Sequence, residues 1–227
     1  MRPSRLIGLL RGLSETLVLK FYGFMGPRFF SRRYFEYRYR RRADPWSYES
    51  SPYEQRKYQR TLEILPKAYY ERVLEVGCSI GVFTEQLAER EISGKIVGID
   101  VAQTALDQAQ KRLEHFDHVQ LRCLDITRDS LEGSFDLIFC AEVLYYLGSR
   151  NIQLVRDKIL SVLQAGGHLI LVNPWPLSHQ LHRRFFEQTE LRLVKEHVEQ
   201  EAERPYAIAL FVKQASAALR SPGATAS

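Results

Sequence analysis

The stretch Val73-Leu74-Glu75-Val76-Gly77-Cys78-Ser79-Ile80-Gly81 holds the residues best suited to ligand chemistry. An apolar run ends in a turn with glycine at two positions, and a helical pattern begins at once. Glycine there lets the backbone turn sharply or a ligand approach closely, and open α/β sheets bind ligands in such strand-to-helix crevices. Asp100 ends the next apolar run, Ile96-Val97-Gly98-Ile99-Asp100, where a carboxylate can accept both hydroxyls of a ribose. Asp125, after the following run, can accept an amino hydrogen of adenine. Three acidic residues therefore end three consecutive strands, a pattern that suits a nucleotide-like ligand.

Two cofactor chemistries compete for this loop. A nicotinamide cofactor wants G-x-G-x-x-G, whose middle glycine admits a pyrophosphate to the helix N-terminus. This loop carries Ser79 at the crowded position and Glu75 two residues before the first glycine. A carboxylate is unfavourable beside a pyrophosphate and favourable beside a sulfonium and an α-ammonium. Electrostatics thus selects S-adenosylmethionine over NAD.

The elements that must hold these residues follow from hydrophobic periodicity. Strands are predicted at Arg72–Val76, Lys95–Asp100, Val119–Cys123, Phe135–Cys140 and, after a Gly166-Gly167 turn, His168–Val172. Helices are predicted at Tyr53–Leu65, Gly81–Glu89, Ala102–Glu114 and Arg150–Leu163. Apolar strands alternating with amphipathic helices give a doubly wound α/β sheet, mostly parallel and covered on both faces. Leu191–Val198 and Tyr206–Lys213 add an antiparallel hairpin, for about seven strands in all. The chain divides into a basic, aromatic N-terminal arm (1–43), helices lidding the cofactor (44–70), the α/β core (71–214) and a disordered tail (215–227).

Charge is distributed unevenly. The whole chain of 227 residues carries a formal +5, yet residues 1–43 hold 11 Lys+Arg against 2 Asp+Glu, and the rest carries 21 − 25 = −4. A basic arm on a mildly acidic body removes most of the case for a nucleic-acid partner that the overall charge suggests. Within the arm, Ser4–Lys20 has a helical apolar stripe, and Phe29–Arg42 interleaves arginines with aromatics, a composition fit for an anionic membrane surface or a phosphate-bearing substrate. Cys78, Cys123 and Cys140 form no CxxC pair, which favours a reducing, cytoplasmic setting. No uncharged apolar stretch approaches the roughly 20 residues that span a bilayer.

E-x-G-x-x-x-G, the Asp100 strand, Cys123-Leu124-Asp125, Phe135-Asp136-Leu137-Ile138 and Leu163-Gln164-Ala165-Gly166-Gly167 together resemble the class I S-adenosylmethionine-dependent methyltransferases. Asp44-Pro45-Trp46, Ser51-Pro52-Tyr53-Glu54 with Lys57-Tyr58, and Glu142-Val143-Leu144-Tyr145-Tyr146-Leu147 are similar to the NodS-like group within them. That group is named for a nodulation protein that N-methylates a deacetylated chitooligosaccharide. Ser79 departs from the broad motif and agrees with the subgroup. The resemblance implies that Glu75, Gly77, Cys78, Ser79 and Gly81 surround the methionine part of the cofactor, Asp100 and Val101 the ribose, and Asp125 and Ile126 the adenine. It places Glu142 between the methionine end and the acceptor, and Tyr53 and Lys57 on the lidding helix, where the ammonium can pair with the cofactor carboxylate.

The expected function is methyl transfer to N or O of a small-molecule or saccharide acceptor. Such a displacement needs alignment more than a dedicated base, although an amine must be deprotonated before attack. Glu142, Tyr145, Tyr146, His179 and His182 are the candidates for that chemistry; the two histidines, at i and i+3, lack a third ligand for a metal. The alternative is a non-catalytic cofactor-binding protein that docks to membrane or RNA through its arm. Removal of residues 1–43 is expected to spare cofactor binding.

Overall fold

The computed structural model describes residues 31–187 and 189–215. Its elements are α1 (Arg32–Arg41), α2 (Pro52–Glu63), β1 (Tyr70–Val76), α3 (Val82–Glu89), β2 (Ser93–Asp100), α4 (Gln103–Arg112), β3 (Val119–Cys123) and β4 (Phe135–Ala141). A single 3₁₀ turn (Leu144–Tyr146) precedes α5 (Ser149–Val162), β5 (Leu163–Pro174), α6 (Leu177–Phe186), β6 (Leu191–Glu199) and β7 (Tyr206–Lys213). The strands form one seven-stranded sheet in the order β3-β2-β1-β4-β5-β7-β6. β1 to β5 pair in parallel, and β7 pairs antiparallel with both β5 and β6.

Both faces are covered, as continuous apolar strands require. Side chains alternate with the strand period of two. Leu74, Val76, Ile138, Cys140, Leu169 and Leu171 turn to the face under α5 and α6, and Val73, Leu137, Phe139, Ile170 and Val172 to the face under α2 and α3. Phe139 and Phe211 are completely buried, each contributing about 1.5–3 kcal/mol through removal from water.

Two elements differ from the sequence expectation. Gly166-Gly167 is not a separate turn: α5 runs directly into β5, and the glycine pair lies in a segment where the β4–β5 register shifts between Phe135 and Leu137. Gly166 takes φ +75, a left-handed conformation that glycine adopts without strain and that bends the strand in place of a loop. The second difference is at the arm. Arg32–Arg41 is a helix packed on the body, with Tyr39 buried against Ile80, Ala102 and Ala105, and Phe35 beside it. Phe35 and Tyr39 are four residues apart, so one face of α1 is apolar while Arg33, Tyr37, Arg40 and Arg41 remain exposed. The Ser4–Lys20 helix and the tail beyond residue 215 lie outside the described residues.

Candidate active site

Each parallel strand delivers its last residues to the same edge, where a cavity of about 810 Å³ opens. Gly77 after β1, Asp100 at the end of β2, Asp125 after β3 and Glu142 after β4 lie in its wall, and Phe35 and Tyr39 of α1 form its roof. The volume falls in the range of about 300–1,000 Å³ usual for small-molecule and cofactor sites.

The β1 turn is built by backbone geometry. Gly77 and Gly81 have φ of +81 and +79, and Ser79 between them is also left-handed at φ 55. A Cβ on Gly77 would stand 2.6 Å from Val143, and one on Gly81 would press on Leu113 and Ala109 of α4 and its C-cap. Gly81 thus serves close packing. Ser79 is held from two sides: its N–H donates to Asp100 Oδ2 at 2.9 Å, and its Oγ shares a 2.5 Å hydrogen bond with Tyr39 Oη. Asp100 Oδ1 accepts the N–H of Ala102 at 2.9 Å.

The carboxyls are electrostatically distinct. Burial pushes Glu75 up to about 7, only partly offset by the 2.6 Å hydrogen bond from Thr84 Oγ1. Burial likewise raises Asp100 to about 6 against the lowering effect of its backbone donors. Both are carboxyls kept out of water beside a cavity, poised to favour a cationic ligand. Asp125 is a turn residue as well: its Oδ1 accepts from Thr127 N and Oγ1, and its own N–H donates to Asp129. Lys158 of α5 braces this loop by donating to the carbonyls of Ile126 and Asp129 at 2.9 and 2.7 Å.

At the β4 end, Glu142 occupies a left-handed conformation, φ 58, and its N–H is held by the carbonyl of Val172 at 2.8 Å. A non-glycine residue in that region costs about 1–2 kcal/mol and marks a position fixed by its surroundings. Glu142 Oε1 accepts from Lys57 at 3.0 Å and Oε2 from Tyr145 at 2.7 Å. Lys57, Glu75, Cys78 and Glu142 also surround a smaller void of about 50 Å³, which shares Gly77, Ser79 and Glu142 with the main cavity.

The sequence candidates separate on this geometry. Gly77, Ser79, Asp100, Val101, Asp125, Ile126, Glu142 and Tyr146 line the large cavity, and Lys57, Glu75 and Cys78 the small one. Cys78 is buried, and burial raises its thiol well above the usual range, as for an inert packing residue. Tyr53 and Tyr145 lie behind Lys57 and Glu142 as their partners. His179 and His182 are outside both walls. His182 is buried between Asn173 (3.1 Å) and Glu196 (3.5 Å), and burial lowers its basicity; His179 packs edge-on against Trp175. Among the described residues no cluster of three potential metal ligands occurs.

The sequence reading missed the contribution of α1. Arg32 donates to Cys123 Sγ at the end of β3, Glu36 accepts from the N–H groups of Gln103 and Thr104 at the start of α4, and Tyr39 meets Ser79 after β1. One helix face therefore tracks three strand ends in turn. The spacing Arg32, Phe35-Glu36, Tyr39 is the signal that could have shown it.

The fold is that of the class I S-adenosylmethionine-dependent methyltransferases. Within them the chain belongs to the nodulation protein S family: the family model described as Nodulation protein S (NodS) matches residues 37–200. Nodulation protein S of Rhizobium tropici is 36% identical over 129 residues, 56% of this chain and 53% of that protein. Phosphoethanolamine N-methyltransferase 1 of Arabidopsis thaliana is 30% identical over 111 residues, 48% and 22% of the two chains. The chain spans about half the length of the curated nodulation proteins it matches. Among solved structures, the N-methyltransferase NodS from Bradyrhizobium japonicum WM9 in complex with S-adenosyl-L-homocysteine superposes with a TM-score of 0.72 at 26% identity, over 80% of this chain and 97% of that one. No helix among the described residues is long and apolar enough to cross a membrane.

Proposed function

We propose that the chain transfers a methyl group from S-adenosylmethionine to a small-molecule or saccharide acceptor, with an amine nitrogen as the acceptor atom. The observation that carries this reading is Glu142, a strained carboxylate that stands in the wall of the cofactor cavity and is fixed there by Lys57 and Tyr145. The donor set fits the cofactor: Asp100 suits the ribose hydroxyls, Asp125 and Ile126 the adenine, and Glu75 the cationic methionine end. When bound, the cofactor supplies the electrophilic methyl group. The protein's part is alignment and exclusion of water.

Phe35, Tyr39, Trp46 and Tyr146 form an aromatic roof, with ring centroids 5.2 Å apart for Phe35–Tyr146 and 5.4 Å for Tyr39–Trp46. That roof shields the reacting atoms from solvent. Glu142 orients the acceptor ammonium and takes its proton, after which the neutral amine attacks in line. Tyr145 holds the carboxylate from behind. The cytoplasmic setting and a peripheral contact of residues 1–43 with an anionic membrane belong to the same proposal, supported by the exposed Arg40 and Arg41 of α1.

Incubation with methyl-labelled S-adenosylmethionine and a deacetylated chitooligosaccharide tests the reading. Label on the free amine, and none on the fully acetylated oligosaccharide, is expected. Failure to bind S-adenosylmethionine, or methyl transfer confined to hydroxyl acceptors, overturns it.

The roof also changes the expectation for the arm. A chain beginning at residue 44 lacks all of α1, hence Phe35, Glu36 and Tyr39, so cofactor binding is not spared. Calorimetry should show S-adenosylhomocysteine binding about ten-fold more weakly, the equivalent of about 1.4 kcal/mol.

A further inference from the structure

The Tyr53-Glu54-x-x-Lys57 stretch of α2 joins a network that alignment of the methyl group does not itself require. Glu54 and Lys57 are almost fully buried, 2% and 5% exposed. Lys57 Nζ pairs with Glu54 Oε2 at 2.9 Å on one side and Glu142 Oε1 at 3.0 Å on the other. Glu54 Oε1 in turn receives Arg204 Nη2 at 2.9 Å from the loop between β6 and β7. Tyr53 sits between the two cations: its ring lies 4.1 Å from the Arg204 guanidinium carbon and 5.0 Å from Lys57 Nζ, and its hydroxyl donates to the Arg204 carbonyl at 2.7 Å.

The charges balance in this chain of contacts. Arg204 and Lys57 are positive, Glu54 and Glu142 negative, and the order alternates from the sheet edge to the cavity. Burial works against the charged form of Lys57, but Glu142 and Glu54 hold its ammonium protonated well beyond the usual range. A buried cation with one carboxylate partner would close into a tight pair and draw that carboxylate towards itself. Glu54 divides the demand. Lys57 and Tyr145 engage one oxygen each on Glu142, which itself lines the large cavity.

We infer that Glu54 and Arg204 are positioning residues for Glu142, acting through Lys57, so that the β6–β7 loop helps set the acceptor end of the cavity. The consequence for rate rests on the methyl-transfer reading; the coupling itself is a property of the folded chain.

A double-mutant cycle of Glu54→Gln and Glu142→Gln, two near-isosteric changes, tests it with two readouts. On a deacetylated chitooligosaccharide, Glu54→Gln should lower kcat at least ten-fold while KM for S-adenosylmethionine stays within two-fold. That effect should vanish in the Glu142→Gln background. Arg204→Lys should recover most of the rate that Arg204→Met loses. Rate losses that multiply independently, or a Glu54→Gln enzyme as fast as the unmodified one, overturn the inference. If the unmodified protein transfers no methyl group to the amine, the acceptor reading fails instead, and urea unfolding of the same four proteins decides the coupling: non-additive destabilisation supports it and additive costs overturn it.

Discussion

Asp100→Ala is expected to weaken binding of S-adenosylmethionine by about 100-fold or more. Hydrogen bonds to a charged acceptor contribute about 1.5–3 kcal/mol each, and two ribose hydroxyls on one carboxylate reach the roughly 2.7 kcal/mol that 100-fold represents. The structure adds a second loss. Asp100 also accepts the N–H groups of Ser79 and Ala102, so its removal leaves both donors unpaired where the β1 turn and the start of α4 meet. Ala102 is fully buried, and a buried orphan costs about 1–3 kcal/mol; for a chain of this size a kilocalorie lowers Tm by about 2–4 °C. Asp100→Asn keeps one oxygen acceptor and should fall between the two proteins in both properties. Calorimetry with S-adenosylhomocysteine and a thermal melt separate the effects. Unchanged affinity for the alanine variant would remove Asp100 from the ribose site, whatever happened to its Tm.

The strand-end carboxylates were legible because they depend on local signals: an apolar run, a glycine-bounded turn and a helix start, repeated along the chain. A parallel sheet then brings their ends together with no further information. The hairpin was legible for the same reason, two apolar runs around an acidic turn. What escaped was contact between distant segments. Glu36 caps α4 across 67 residues, and Arg204 reaches Glu54 across 150. An arginine in a polar turn carries no local mark of such a partner. His182 misled for the converse reason: a histidine after β5 has the sequence address of a catalytic base, but α6 turns it inward to Asn173 and Glu196. The spacing Leu177, Leu181, Phe185 contained that answer, since His182 follows Leu181 on the buried side of the helix. Gly166-Gly167 reads as a turn in the sequence because glycine pairs mark turns and loops.

The affinity for S-adenosylmethionine should rise about twenty-fold between pH 5.5 and pH 7.5. Glu75, raised to about 7, and Asp100, raised to about 6, are both protonated in most molecules at the lower pH and ionised in most at the higher. In the ligand-free protein a carboxyl raised above its unfolded value favours folding below that unfolded value, and the benefit is lost as pH rises through the folded one. Stability without ligand should therefore decline from about pH 4 to pH 7 as far as these two groups are concerned. A cationic ligand reverses the preference, because a sulfonium and an α-ammonium beside Glu75 favour its carboxylate. If binding requires ionised Glu75, a group near 7 imposes roughly a twenty-five-fold difference across that interval, close to the expected figure. The same linkage requires proton release on binding at pH 6, detectable as a dependence of calorimetric enthalpy on buffer ionisation heat. Glu75→Gln should abolish most of the pH dependence while leaving the affinity at every pH near the weak, acidic limit. S-adenosylhomocysteine, which lacks the sulfonium charge, should show the smaller slope of the two ligands. Equal slopes would place the titrating carboxyl away from the methyl-bearing sulfur, and a flat profile for both would show that neither buried carboxyl faces the ligand.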